Sequence, residues 1–181
     1  MKILGISGSL RKGAYNTAVL HAVGEIVPEG VDFEIFDLSG IEPFNDDMAA
    51  DPPQKVKDLK AAVRSADAVI FSSPEYNYSI PGHLKNAIDW ASRPYGDNVW
   101  EDKPALIVGA SIGAIGTARM QYHLRQSMVF LNMHPLNKPE VMINNAADKF
   151  DENGELKDEK TREHLKRAVE ALIVRAKRFQ G

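Results

Sequence analysis

Lys2-Ile3-Leu4-Gly5-Ile6-Ser7-Gly8-Ser9-Leu10-Arg11-Lys12-Gly13-Ala14-Tyr15-Asn16-Thr17 is the stretch on which the reading of this chain turns. Lys2 to Ile6 reads as a strand, and a loop dense in glycine and hydroxyl side chains follows it. From Thr17 to Val27 the apolar residues fall at Ala18, Val19, Ala22, Val23 and Ile26, the i, i+3, i+4 series of one buried helix face. Strand, loop and helix in that order open a βαβ unit.

The loop has the chemistry of an anion site. Backbone N–H groups at a helix start, with the helix dipole behind them, stabilise a phosphate. Ser9, Asn16 and Thr17 offer side-chain donors and Arg11 adds positive charge. The competing reading is a tight turn in which Asn16 serves only as the helix N-cap. The glycines fall at Gly5, Gly8 and Gly13, which fails the G-x-G-x-x-G spacing of dinucleotide folds, and Asp37, where a ribose-binding acid would stand, reads as an ordinary loop residue. No Gly-Lys-Ser/Thr phosphate loop is present. A monophosphate therefore fits this loop better than a nucleoside triphosphate.

Outward from this unit the pattern repeats. Further strands are expected over Val31–Phe36, Ala68–Phe71, Ala105–Val108 and Glu140–Ile143, and further helices over Pro53–Ser65, Pro81–Ser92, Gly116–Met133 and Glu159–Phe179. Ala68–Phe71 is apolar throughout, as a strand covered on both faces must be. Val56, Leu59, Ala62 and Val63 face inward in the second helix, and Leu84, Ile88 and Ala91 in the third. Leu165, Val169, Leu172, Ile173 and Ala176 form the stripe of the closing helix. Asp37–Pro52 and Asn144–Asp158 read as surface connections. Alternation of this kind gives an α/β three-layer sandwich on a parallel sheet of five strands.

Size and composition agree. The chain has 181 residues, one domain over 1–181 at about 150 residues per domain. Hydrophobic residues at 44% and charged residues at 26% are ordinary globular usage, which excludes disorder as the main state. Twenty-two Lys and Arg against 25 Asp and Glu leave a net charge of -3, too balanced for a nucleic-acid partner held by phosphate attraction. With no cysteine, disulfides, thiolate metal sites and dithiol redox chemistry are excluded, so redox function would have to be borrowed from a cofactor. The amino-terminal apolar run is too short for a secretory segment and no run is long enough to span a bilayer, so a soluble cytoplasmic protein without membrane attachment is expected.

In an open parallel sheet the ligand lies beyond the carboxyl ends of the strands, where strand order reverses. Two more loops should converge there. Ser73-Pro74-Glu75-Tyr76-Asn77-Tyr78-Ser79-Ile80-Pro81-Gly82 is bracketed by prolines that restrict it, and its aromatic and amide groups suit a flat heterocycle with polar edges. A proline-stabilised turn with packed tyrosines is the plainer alternative. Gly109-Ala110-Ser111-Ile112-Gly113-Ala114-Ile115-Gly116 lacks bulk, which lets a ligand lie against main chain. Trp90, Tyr95 and Trp100 are hard to bury together in one small core and are candidates for a subunit interface, with core packing as the alternative.

Gly8-Ser9-Leu10-Arg11 followed by Asn16, then Pro74-Glu75-Tyr76-Asn77, then Pro81-Gly82-His83-Leu84-Lys85-Asn86-Ala87-Ile88-Asp89-Trp90, then the Ser-and-Gly loop, resembles the NAD(P)H-dependent FMN reductase family over most of the chain. That family includes quinone, azo-dye and chromate reductases. The resemblance implies a flavodoxin-like fold with strand order 2-1-3-4-5, bound FMN, and NADPH or NADH as co-substrate in a ping-pong cycle with small-molecule electron acceptors. It implies that Ser9, Arg11, Asn16 and Thr17 hold the FMN phosphate and ribityl chain, that Pro74, Glu75, Tyr76 and Asn77 edge and support the isoalloxazine, and that Ser111 and Gly113 line its far side. It also implies a homodimer or homotetramer with the flavin near the subunit boundary. The chemistry resides in the cofactor, so no catalytic side chain and no metal ligand is assigned. His83, in the first turn of its helix, is read as a surface residue.

Two other functions compete. Gly109-Ala110-Ser111-Ile112-Gly113 matches the nucleophile-elbow pattern G-x-S-x-G of serine hydrolases, with His123, His134 and His164 downstream. A flavodoxin-type electron carrier would share both fold and FMN, although such carriers tend to be strongly acidic.

Overall fold

The structure is a computed structural model that describes residues 1–179. Its elements run β1 (Lys2–Ser7), α1 (Tyr15–Ile26), β2 (Asp32–Phe36), a short 3-10 turn (Asp46–Met48), α2 (Gln54–Ser65), β3 (Ala68–Ser72), α3 (Gly82–Ala91), β4 (Pro104–Ala110), α4 (Ala118–Phe130), β5 (His134–Pro135), β6 (Val141–Ile143), α5 (Ala146–Lys149) and α6 (Glu159–Lys177). The strands are parallel in the order β2-β1-β3-β4-β5, and β6 also pairs with β4.

The strands are apolar on both faces because helices cover both. Ile3, Ala68, Ile70, Leu106 and Val108 point to one side, where they pack with Val19, Leu20 and Val23 of α1 and Leu165, Val169 and Leu172 of α6. Leu4, Ile6, Val69, Phe71, Ala105 and Ile107 point to the other, against Leu59 and Val63 of α2, Leu84 and Ile88 of α3, and Met120 and Leu124 of α4. The period of two along each strand thus splits one sheet between two cores, as a doubly covered parallel sheet requires.

Three expectations need correction. The strand expected at Glu140–Ile143 is only part of the fifth position. The edge of β4 is filled in two pieces: β5 pairs with Pro104 and Ala105 at its start, and β6 pairs with Val108 to Ala110 at its end. Leu136 N–H still donates to the Ala105 carbonyl (2.8 Å), and Pro139, which has no N–H to give a ladder, lies between the two pieces. The connection Asn144–Asp158 is not wholly irregular, since it contains α5 and an antiparallel bridge between the buried Phe150 and Leu156. Finally, Trp90 and Trp100 are core residues, each 1% exposed; their indole N–H groups donate to the carbonyls of Glu42 (2.7 Å) and Ile88 (3.0 Å). Of the three aromatics considered for an interface, Tyr95 alone is exposed.

Trp90 also explains how the long connection after β2 is held. Its ring meets Phe44 edge-on at 5.0 Å, while Asn86 accepts from Phe44 N–H (2.7 Å) and donates to the Glu42 carbonyl (2.8 Å). Two residues of one face of α3 therefore anchor a segment that has no periodicity of its own. Among the described residues no helix is long and apolar enough to cross a membrane.

Candidate functional site

The chain leaves β1 for β2 on one side and returns to β3 on the other, so strand order reverses between β1 and β3. In an open parallel sheet a ligand lies at that point, beyond the carboxyl ends and between the loops that follow these strands. Ser72 and Ser73, at the end of β3, tie all three expected loops together. Gly8 N–H donates to the Ser72 carbonyl (2.8 Å), and Ser73 N–H donates to the Val108 carbonyl (3.1 Å). A Cβ on Gly8 would lie 2.2 Å from Ser73 Oγ, and one on Gly109 would lie 2.5 Å from the Ser73 carbonyl oxygen. These two glycines are required by close approach, and they bring the first and third loops against the second.

The first loop is organised for an anion. Helix α1 starts after Ala14, with no side-chain cap and no acidic residue in its first turn. Asn16 is therefore not the N-cap that one reading of the sequence made it. Ser9 is buried and accepts from Arg11 N–H (3.3 Å), while the hydroxyls of Ser7 and Thr17 pair at 2.9 Å. The exposed Arg11 guanidinium donates to the carbonyls of Lys12 (3.4 Å) and Gly13 (3.0 Å), on the loop's outer rim. No carboxylate lies in this loop. Uncapped helical N–H groups, two hydroxyls and a guanidinium are donors that could hold a phosphate.

Asn16 sits elsewhere than its fellows. Its side chain is buried, its Nδ2 donates to the Ala110 carbonyl (3.0 Å), and its Oδ1 accepts from Ala110 N–H (2.8 Å) and from Ser72 Oγ (3.4 Å). It joins the first and third loops through the interior.

The second loop is a tight turn. Tyr76 and Ser79 exchange backbone hydrogen bonds (3.1 and 2.9 Å), and the residues between them, Asn77 and Tyr78, have φ of 50° and 66°. Two consecutive left-handed residues in a two-residue connection define the mirror-image turn that Asn tolerates best and Tyr poorly. The turn is held from outside. Glu75, whose side chain is 7% exposed, accepts from the backbone N–H groups of Arg119 (3.0 Å) and Met120 (3.2 Å) and pairs with the Arg119 guanidinium. Helix α4 has no cap of its own, so Glu75 supplies it across the cleft. The guanidinium lies 3.6 Å from the centre of the Tyr78 ring, and Ser79 Oγ bonds His123 Nδ1 (3.0 Å) one turn along α4. Pro74 leads into the turn, while Tyr76 and Tyr78 stand exposed at the mouth.

In the third loop Ser111 Oγ accepts from Gly113 N–H (3.1 Å), and the Ser111 backbone is fixed to Ile143 (2.9 Å) and Ala146 (3.0 Å). Ile112 and Ile115 are exposed beside the opening. The geometry removes the hydrolase reading: His123 is engaged with Ser79, His134 with Asp102 (3.1 Å) and His164 with the Glu140 carbonyl (2.7 Å), so none faces Ser111. Helix α4 also begins at Ala118 rather than directly after the serine.

His83 is not the surface residue expected from its place in the sequence. It is half-buried against Gly8 with Nε2 unpartnered, and burial holds its imidazole below the ordinary value, partly offset by the Gly8 backbone. Asp37, as an ordinary loop residue, bonds the hydroxyl (2.7 Å) and N–H (2.9 Å) of Ser39.

A loop rich in anion donors and a rigid aromatic turn, both at the switch point of a parallel sheet, point to a nucleotide- or flavin-binding α/β protein. The chain belongs to the NADPH-dependent FMN reductase family, whose model matches residues 1–148. It is 52% identical to an NAD(P)H-dependent FMN reductase of Pseudomonas aeruginosa over 100% of this chain and 98% of that one. To the NAD(P)H:quinone oxidoreductase of Solanum tuberosum it is 45% identical, over 100% and 95% of the two chains. Among solved structures it is similar to FerB of Paracoccus denitrificans, a flavoenzyme NAD(P)H:(acceptor) oxidoreductase. The TM-score is 0.90 and the identity 35%, with 98% of each chain covered.

Proposed function

We propose that this protein is an FMN-dependent NAD(P)H oxidoreductase that delivers electrons to quinones, with azo dyes and chromate as further acceptors. The observation that carries this reading is the uncapped start of α1 beneath Ser9, Arg11 and Thr17, opening on the crevice between β1 and β3. When bound, FMN would supply the redox chemistry, that of a two-electron carrier between NADPH or NADH and an acceptor.

The chain's own residues bind and orient. Ser9, Arg11 and Thr17 hold the phosphate with the helix N–H groups behind them. Asn16 acts on the same end of the flavin by fixing Ala110, and so the third loop, against the first. Pro74, Glu75, Tyr76 and Asn77 form the edge against which the ring rests. In that set Glu75 positions the turn from α4, while Asn77 and Tyr78 keep N–H groups outside the turn's own bonds. Ser111 and Gly113 line the far side, in a loop whose shape is fixed because their own N–H groups are bonded to the Ile143 carbonyl and to Ser111 Oγ.

A homodimer fits the outer face of α4, where Tyr122, Val129 and Phe130 are exposed, Val129 at 81% and Phe130 at 70%, beside a groove lined by Ile88 and Ser92. A cytoplasmic location suits an enzyme that draws on NAD(P)H.

The test is steady-state oxidation of NADPH or NADH by flavin-loaded protein with a benzoquinone. Sustained turnover supports the reductase, and reduction limited to one equivalent per flavin supports an electron carrier instead.

A further inference from the structure

Helix α1 borders a second opening on its outer side. A cleft of 490 Å³ runs from Arg11 and Thr17, along Tyr15, Ala18 and His21, to the turn at Asp151 to Gly154. That volume lies within the range of about 300–1,000 Å³ typical of small-ligand sites. Its far wall is built in advance. Phe150 is buried under the Tyr15 ring, with centroids 5.4 Å apart, and bridges to Leu156. Asp151 Oδ1 fixes the turn by accepting from Asn153 N–H (2.9 Å) and Glu155 N–H (2.8 Å).

The cleft begins where the phosphate of the proposed flavin ends, because Arg11 and Thr17 belong to both. A mononucleotide would leave the rest of it unused. We infer that the cleft receives the adenosine half of FAD, so that the protein accepts the dinucleotide form of the flavin as well as FMN. This inference rests on the flavin reading of the first loop.

Charge sets the orientation. Arg11 stands at the end nearest the first loop, where a second phosphate would lie, while Asp151 and Glu152 stand at the opposite end and would repel a phosphate there. Carboxylates at that end accept from ribose hydroxyls and from the exocyclic amine of adenine. Between the two ends, Tyr15 and Ala18 offer apolar surface for a flat base, with His21 at its edge.

The experiment is calorimetric titration of flavin-stripped protein with FMN, FAD and riboflavin. Ala18→Trp is included to fill the cleft, and His21→Glu, at an exposed position that tolerates polarity, to place a further carboxylate in it. The wild type should bind FAD within about tenfold of FMN, and each variant should weaken FAD by roughly tenfold while holding FMN within about twofold. Retained FMN binding certifies that a variant is folded. The inference is overturned if wild-type FAD binding is no tighter than that of riboflavin, or if both variants leave the FAD-to-FMN ratio unchanged. Failure of the wild type to bind FMN at all overturns instead the flavin reading beneath it.

Discussion

The side-chain amide of Asn16 grips the backbone of Ala110 from both sides, donating to its carbonyl at 3.0 Å and accepting from its N–H at 2.8 Å. It spans the interior between α1 and the end of β4, so the loop that reads as a phosphate site and the loop on the opposite wall are one mechanical unit. Asn16→Ala leaves a buried N–H and a buried carbonyl without partners. The expected loss is about 2–3 kcal/mol of stability, read as a lowered urea midpoint at unchanged slope. An unchanged midpoint would remove the clasp from the account.

Glu75 and Arg119 make a second link, between the aromatic turn and α4. Glu75→Gln keeps an oxygen for the two backbone N–H groups but loses the ion pair, whereas Glu75→Ala loses both. FMN affinity measured by fluorescence quenching should therefore fall by roughly tenfold in the alanine variant and by less in the glutamine variant. Equal losses would mean that the charge alone matters, and no loss would mean that the turn holds its shape unaided.

Gly109 has no room for a side chain: a Cβ would come 1.9 Å from Thr117 Oγ1 and 2.5 Å from the Ser73 carbonyl oxygen. One of these obstacles is backbone, so the strain cannot be relieved by a rotamer change. Gly109→Ala should cost about 1–3 kcal/mol and lower flavin retention by separating the second and third loops. Full stability and full flavin content in that variant would contradict the packing described.

Asp97 gives a prediction in pH. A hydrogen bond from the buried Lys60 (2.6 Å), helped by the Arg64 guanidinium, holds its carboxyl below the ordinary value of 3.8. A depressed carboxylate contributes stability that is fully present above the unfolded-state value and is lost as pH falls through the lower folded-state value. Asp97→Asn should therefore be less stable than the wild type at neutral pH, with the gap closing as acid is added below about pH 4. Urea midpoints of both proteins across that range decide it, and a gap independent of pH would contradict the assignment.

Much of this architecture could be read from the chain because periodicity reports burial directly. The i, i+3, i+4 stripes of α2, α3 and α6 faced the sheet as Leu59, Leu84 and Leu165 required, and the strand-loop-helix opening placed the crevice. What escaped was set by tertiary context. Lys60 falls one residue after Leu59, and no local pattern says that its ammonium is buried against Arg93 and Asp97. Trp90 and Trp100 fit the core because Glu42 and Ile88, both distant in sequence from at least one of them, offer carbonyls to their N–H groups. Within the site, residue types pointed to the first loop and the aromatic turn. They could not show that Asn16 and Glu75 are spent on protein partners, since both roles depend on groups 94 and 44 residues away. The left-handed pair Asn77 and Tyr78 was hidden for a similar reason: Asn is a familiar turn residue, but only the grip of α4 makes Tyr acceptable beside it.

The central claim, that the crevice above α1 holds FMN by its phosphate, is tested most directly on freshly purified native protein. Its visible spectrum should be that of an oxidised flavin, and denaturation should release riboflavin 5′-phosphate at about one molecule per chain. The paired Ser9→Ala, Arg11→Ala variant should be folded by circular dichroism and depleted of flavin, by at least tenfold in affinity if two charge-assisted contacts are lost. Colourless protein that takes up no added FMN, or a double variant with undiminished flavin, would contradict the claim.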